Sequence, residues 1–441
     1  MLLVSTYDLG RQPFGLASPA AWLRREGIDV VCADVAKSQL SERDVEQAGI
    51  VAFYLPMHTA TRLALPIVDR VRRLNPAARI VAYGLYAQLN EAWLRKCGVH
   101  DVIGPEAEGD LVSIVTSQVP NPKSQSVPRL EFIQPDRAGL PPLSAYAALQ
   151  MPDGTRRVVG STDATRGCKH LCRHCPIVPV YRGQFRVVPV DVVMQDVAVQ
   201  VAAGARHISF GDPDFFNGPM HARRIVERLA AEHPGVSYDV TIKVEHLLQH
   251  SGMLPLLGDT GCVFVTSAVE SVDDDVLEKL AKGHTRADFV RVVDLCRAAG
   301  VTLSPTFVAF TPWTTLEAYV DLLEVIESLD LVEHVAPIQL AIRLLVTAGS
   351  PLLELPDIRS RVEPFDAASL TWPWRHEDPR VDRLQGEIMR LVGVRMTGGR
   401  AATFDVVMDL ARTTCGRALR ESPRAIRDRA TVPYLNEPWY C

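Results

Sequence analysis

Short apolar runs alternate with helix-like stretches along most of the chain, and this confines it to folds in which helices cover a largely parallel sheet. Residues 2–6, 29–33, 50–54, 78–83 and 99–103 read as strands, and 20–26, 59–74, 90–97 and 106–115 as helices. Residues 1–120 are therefore expected to form an open α/β sheet with helices on both faces. A ligand of such a sheet lies at the carboxyl ends of its strands, here 5–15, 55–61 and 84–88. The rhythm breaks over 117–149, where Val119-Pro120-Asn121-Pro122 opens a Pro- and Ser-rich stretch. A linker over 121–150 is predicted. Alternation then resumes, with strands expected at 156–163, 207–210, 238–244, 263–269, 302–309 and 338–345.

The first strand of this second series feeds Thr165-Arg166-Gly167-Cys168-Lys169-His170-Leu171-Cys172-Arg173-His174-Cys175, which holds three of the nine cysteines. Three thiolates so spaced can hold three corners of a four-iron cluster and leave the fourth iron open to a small molecule. The alternative is a zinc site with His170 or His174 as fourth ligand. Zinc sites usually pair Cys-x-x-Cys with a second pair downstream, and no such pair follows. Cys32, Cys97, Cys262 and Cys296 stand singly in apolar or helical surroundings and read as inert buried thiols.

Cys168-x-x-x-Cys172-x-His174-Cys175 resembles the signature of the radical S-adenosylmethionine (radical SAM) superfamily, with His174 in its aromatic slot. The resemblance implies a [4Fe-4S] cluster on Cys168, Cys172 and Cys175, SAM chelating the open iron, and an external electron donor of the flavodoxin or ferredoxin type. It also implies that the six later strand–helix units form a partial (β/α)6 barrel over 151–350, with chemistry at the strand ends. A smaller α-rich segment, 351–441, would follow and shape the substrate site.

Family positions then suggest SAM contacts. Asp212 and Asp214, in Gly211-Asp212-Pro213-Asp214, stand where the superfamily holds the SAM ammonium; the same residues also favour a cap and turn. Ser267, Glu270 and Ser271 resemble the segment that meets the SAM carboxylate and ribose, with Glu270 alternatively orienting a nearby cation. Lys243, Gln339 and Arg343 lie on other strand ends. Arg343, within an apolar run, needs a partner, either the SAM carboxylate or an internal acid. Lys282-Gly283-His284-Thr285 reads as a Gly-stopped helix end.

A sheet domain ahead of such a barrel resembles the cobalamin-binding radical SAM proteins, so the fold expected is a Rossmann-like, cobalamin-binding-like domain followed by the barrel. The family's Asp-x-His-x-x-Gly is Asp8-Leu9-Gly10-Arg11-Gln12-Pro13 here, without the His. Asp8, Gly10, His58 and Gly84 mark the region a cobalamin would occupy, although His58 reads first as a locally bonded loop histidine, since a histidine placed singly is usually structural.

Trp372 and Trp374 form an aromatic cluster that either lines a substrate cavity or packs a loop. The end, Glu437-Pro438-Trp439-Tyr440-Cys441, resembles the radical SAM group named for a Cys-Cys-Ala-Glu-Pro or Cys-selenocysteine-Ala-Glu-Pro tail. Its stop at Cys441 is open to two readings, a selenocysteine codon taken as a stop or a natural or engineered end. A tail thiol could bind a soft element or be a free surface cysteine.

The formal charge of −5 gives no basic surface that would argue for a nucleic-acid partner. No run of 18 apolar residues occurs, so no membrane partner is expected, and a cytoplasmic location follows from a start that does not resemble a signal peptide. The function expected is radical group transfer onto a small-molecule substrate, with cobalamin-dependent methyl transfer as one form. Aminocarboxypropyl transfer from SAM to a soft atom such as arsenic, without cobalamin, is a second, and non-catalytic metal binding a third.

Overall fold

The computed structural model describes residues 1–116, 129–394, 399–419 and 431–437. Strands β1 (Leu2–Ser5), β2 (Val31–Asp34), β3 (Ile50–Tyr54), β4 (Arg79–Tyr83) and β5 (Asp101–Ile103) form one parallel sheet in the order β2-β1-β3-β4-β5. Side chains alternate across β1: Leu2 and Val4 enter one core with Phe53 and Val68, and Leu3 enters the other with Leu16, Leu23 and Leu111. Burial on both faces makes these strands continuous apolar runs. The order reverses between β1 and β3, so the crevice for a ligand lies over those two strand ends.

The first helix runs Phe14–Arg25, six residues ahead of the expected start. Residues 15–21 are all buried, and a helix enclosed on every side has no amphipathic period to read. The short helices Glu42–Gln47 and Leu85–Leu89 were not anticipated, being too brief for periodicity. Gly84, at φ +112°, precedes the second of these; a Cβ there would meet the Leu55 carbonyl at 2.8 Å, so only glycine suits the turn.

The second sheet contains β6 (Ala148–Gln150) and β7 (Arg156–Thr162). Beyond β7, β8 (Thr165–Gly167) and β9 (Phe185–Val187) make a separate antiparallel hairpin. The sheet resumes with β10 (His207–Phe210), β11 (Ser237–Thr241), β12 (Cys262–Glu270) and β13 (Thr302–Phe307), and is closed on the other edge by β14 (Tyr434–Leu435). Its order is β13-β12-β11-β10-β7-β6-β14, with β7 and β10–β13 mutually parallel and β6 and β14 antiparallel additions.

The sixth barrel strand expected at 338–345 is corrected. Pro337–Leu340 is a single 3-10 turn, and only a parallel bridge between Phe310 and Arg343 remains of the pairing. Gln339 Oε1 accepts the Phe307 amide at 3.0 Å, so a side chain takes the donor at the end of β13. Helices Pro379–Val394 and Arg400–Thr414 join the barrel's own core through Leu384, Phe404 and Val407.

The two sheets are joined by buried polar contacts. Arg166, on β8, places Nη1 2.8 Å from Glu108 and 3.3 Å from Glu106 and donates from Nη2 to Ser18 at 3.0 Å. Arg137 pairs with Asp196 at 2.8 Å and donates to Gln12, and the Tyr146 hydroxyl donates to Asp34 at 2.8 Å. The tail strand crosses the same junction: Asn436 bonds Ala148, Tyr434 lies under the Arg400 guanidinium, and Glu437 pairs with Lys37 at 3.7 Å. Cys441 and the rest of the tail motif lie outside the described residues, as does most of the Pro-rich linker stretch.

Three carboxyls at this junction are held up by burial: Asp8 to about 7, Asp163 to about 6 and Asp212 to about 7, with Arg11 opposing the effect at the first two. An unfolded aspartate releases its proton near pH 3.9, so between about pH 4 and 7 the folded chain binds more protons than the unfolded one. Stability therefore falls as pH rises through that window and levels above it. Asp8→Asn should raise the thermal midpoint relative to the parent at pH 8, with the advantage shrinking toward pH 4. An advantage equal at both pH values would contradict the assignment.

Candidate active site

The cysteine loop is carried by the β8–β9 hairpin at the carboxyl end of β7. Its geometry begins with Gly167, at φ +78°, where a Cβ would meet the Tyr181 ring at 2.4 Å and the Gln184 carbonyl at 2.6 Å. Asn217 then clamps the turn, accepting from Lys169 N and donating to Gly167 O, both at 3.2 Å. Arg173 ties the far side to the end of helix Asp274–Lys279 through Leu280 O, Lys279 O and Glu278 O. The loop is thus fixed from three elements with Cys168, Cys172 and Cys175 all free thiols.

Burial pushes Cys168 up to about 11 and Cys175 up to about 12, and the neighbouring thiols add to the effect. Cys172 is buried and Cys168 and Cys175 are half-buried, and thiols so placed on one short loop ionise together only when a cation holds them. That donor set fits an iron–sulfur cluster with three protein ligands. Lys282, 3% exposed, adds a fixed positive charge beside Cys172 and Cys175.

Around the loop the expected residues divide. Glu270, at φ +69° where the β12 pairing shifts register, contacts His174 Nε2 at 3.1 Å and Lys282 Nζ at 3.5 Å. Burial raises its carboxyl, but Lys282 and His174 outweigh this and hold it at about 2. His174 Nδ1 and Ser267 Oγ are buried and lack a hydrogen-bond partner, which suits them to a polar ligand. Ser271 accepts from Asp273 N at 3.1 Å, shaping the start of the next helix.

The acidic pair splits by role. Asp212 takes the Thr165 hydroxyl at 2.5 Å and Ala164 N at 2.9 Å, bracing the hairpin entry. Asp214 caps Phe216 N and lies against His170 and His246. Lys243 reaches Glu245 at 2.9 Å and His170 Nδ1 at 3.2 Å. Arg343 has internal partners: Asp382 at 2.7 Å, the Trp374 carbonyl at 2.6 Å, and the Trp374 ring beneath it at 3.5 Å. Trp374 is itself buried and donates to Leu344 O, and Trp372 packs beside it; both serve a loop core. Gln339 is used by Phe307, as above. Gly283, expected at a helix end, lies in the turn before Thr285, which caps helix Arg286–Ala298 with a capping box.

Sequence reasoning missed Lys282, His246 and Arg166 as working residues. His246 lies within the short helix Val244–Gln249 and Lys282 in the turn after helix Asp274–Lys279, positions that no periodicity or spacing marks as functional.

Residues 163–326 match the family model described as the radical SAM superfamily. The chain carries a radical SAM domain. Domains of this family use a [4Fe-4S] cluster and SAM, and the cysteine loop lies inside the matched span. The tRNA-2-methylthio-N(6)-dimethylallyladenosine synthase of Fusobacterium nucleatum is 27% identical over 187 residues, covering 38% of this chain and 40% of that protein. The hopanoid C-3 methylase of Methylococcus capsulatus is 24% identical over 160 residues, 36% of this chain and 30% of that one. The chain thus matches less than half the length of these two relatives. Among solved structures, OxsB, a cobalamin-dependent radical SAM enzyme with aqua-cobalamin bound, superposes with TM-score 0.67 at 14% identity over 89% of this chain and 67% of that chain. The methyltransferase TsrM from Kitasatospora setae gives 0.57 at 18% identity over 75% of this chain and 70% of that chain. These agree with the sheet domain ahead of a curled half-barrel described above.

A corrin is a separate question from the fold. Between the strand ends of the first sheet and the radical SAM hairpin lies a cavity of about 220 Å³, lined by Phe14, Tyr54, Gly84, Asp163, Arg166 and Tyr181 among others. Ordinary small-molecule sites measure ~300–1,000 Å³, so the side chains at this junction pack closer together than around an open ligand pocket. His58, the first residue of helix His58–Leu74, places Nε2 2.5 Å from the carbonyl of Ser369, 311 residues away, a long-range contact in place of the local bond expected. Gly10 is covered by the Glu437 side chain, which a Cβ there would strike. Of the four residues marked for a cobalamin, Gly84 lines this cavity, while Gly10 and His58 lie against Glu437 and Ser369. Among the described residues no helix is long and apolar enough to cross a membrane.

Proposed function

We propose that the chain is a radical SAM transferase whose cluster sits on Cys168, Cys172 and Cys175 and whose substrate is a small molecule. The observation that carries this is the constrained loop of three unbridged thiols, Cys172 buried and Cys168 and Cys175 half-buried, beside Lys282. When bound, the cluster and SAM supply a one-electron cleavage of a carbon–sulfur bond. The chain's own residues do the rest. Lys282 offsets thiolate charge, Glu270 fixes the His174 ring and its tautomer, and His174 Nδ1 and Ser267 Oγ remain as polar partners for the adenosyl or carboxylate groups of SAM. An external flavodoxin- or ferredoxin-type protein would supply the electron. A formal charge of −5 supports a small molecule over the tRNA in the names of several relatives.

Two forms of transfer remain, each with its own support. The likeness to OxsB and TsrM favours cobalamin-assisted methyl transfer; the small junction cavity favours transfer of a SAM-derived group without a corrin, the aminocarboxypropyl arm to a soft atom included. Anaerobic reconstitution with iron, sulfide and hydroxocobalamin, followed by desalting, separates them. An absorption shoulder at about 400 nm without corrin bands is the expected result. Retained corrin bands would establish the methyl-transfer form, and absence of the shoulder would overturn the radical SAM reading of this chain.

A further inference from the structure

His170 stands between the first two cysteines of the loop, but its contacts run to two other elements. Its Nε2 lies 3.3 Å from Asp214 Oδ2 and 3.2 Å from His246 Nε2. His246 Nδ1 lies 2.7 Å from the same carboxylate oxygen. The three residues come from the cysteine loop, the loop after β10, and helix Val244–Gln249 after β11. Asp214 and His246 are 2% and 0% exposed at the side chain.

Asp214 Oδ2 and His246 Nδ1 are fully buried, and their close approach does not have the directions of a hydrogen bond. A buried carboxylate needs a cation. Here three donor atoms, two nitrogens and one oxygen, converge with all separations within 4.8 Å. Donors ~2.0 Å from a tetrahedral zinc ion stand about 3.3 Å apart; His170 Nε2 stands at that distance from Asp214 Oδ2, and His246 Nδ1 is nearer to it, at 2.7 Å. Two imidazoles and a carboxylate are also a donor set of open zinc centres, unlike the thiolates a few residues away. Glu245 Oε2 lies 3.6 Å from His170 Nδ1 and accepts from Lys243 Nζ at 2.9 Å, which puts a carboxylate in the outer layer of the site. Lys243 Nζ, which can only donate, reaches His170 Nδ1 at 3.2 Å, so the competing occupant is a proton on Nε2 that His170 shares with Asp214.

We propose that His170, Asp214 and His246 form a second metal site, for one divalent cation of the zinc class, which locks the cysteine loop to the ends of β10 and β11. The site does not depend on the radical SAM chemistry above. It takes Asp214 away from the SAM ammonium that family position suggested for it.

The test uses the full chain with its cluster reconstituted anaerobically, titrated with Zn²⁺ against a chromophoric chelator, with iron and zinc counted by elemental analysis. The expected result is ~1 zinc per chain, at least about 10-fold weaker in Asp214→Asn and in His246→Gln, with iron content unchanged. Zinc should raise the thermal midpoint of the parent and leave that of either variant unmoved, which a brace held by a proton would not produce. Zinc bound equally by parent and variants, or not bound by a parent that holds iron, overturns the proposal. Zinc that remains sensitive to Asp214→Asn in protein that takes up no iron would instead sink the cluster assignment and leave this one standing.

Discussion

Cys172→Ala is expected to reduce cluster iron and sulfide to background, remove the absorption shoulder at about 400 nm, and bring SAM cleavage down to the uncatalysed level. The reason is arithmetic as much as chemistry. The loop offers three thiols, the open corner is needed for SAM, and among the described residues no fourth cysteine lies in the loop. Cys32, Cys262 and Cys296 are buried within β2, β12 and helix Arg286–Ala298, and Cys415 lies at the end of helix Arg400–Thr414. Cys296→Ala, with its thiol pushed up to about 12 by burial alone, is the matched control and should keep full iron. Iron retained by Cys172→Ala at the parent's level would falsify the ligand assignment. Zinc in place of iron in the parent would return the chain to the metal-binding alternative.

Arg166→Ala is expected to cost about 3–5 kcal/mol of stability, the usual effect of removing one partner from a buried ion cluster. Its side chain is 10% exposed, and those of Glu106 and Glu108 are 0% and 3% exposed. Without the guanidinium, two carboxylates are left facing each other away from water, and Glu106 is already raised by burial against the pull of Arg166. The guanidinium also lies over the rings of Phe14 and Phe132, so lost packing adds to lost charge. Urea unfolding followed by circular dichroism measures the change. Restoring part of the loss with Glu106→Gln and Glu108→Gln in the Arg166→Ala background would show that unpaired charge, not cavity formation, dominates. A loss under about 1 kcal/mol would mean that water reaches the pair and that the junction is looser than its packing indicates. Because Arg166 is two residues from Cys168, the same change should also weaken cluster retention.

The local signals were strong where burial imposed a simple pattern. The five strands of the first sheet, β7 and β10–β13 of the second and the place of the cysteine loop at a strand end follow from apolar runs and spacing, because a strand covered on both faces has few other sequences open to it. The edge strands β6 and β14 and the β8–β9 hairpin were too short to read. Legibility failed where a residue's partner is distant in sequence. The sixth strand looked like its predecessors, yet Gln339 and Pro337 turned it into a helical turn at the end of β13. Arg343 was legible as a charge in need of a partner, but only packing chose Asp382 over a ligand. Asp214 read as a SAM contact from its position in the motif, and the fold set it against two histidines 44 and 32 residues away, His170 and His246. The sequence by itself determined the two-sheet architecture and the metal-binding loop, since periodicity and ligand spacing are local properties. The tertiary structure alone decided which polar groups are satisfied within the chain and which are left for a ligand, because hydrogen bonding and charge pairing depend on distances that sequence separation does not encode.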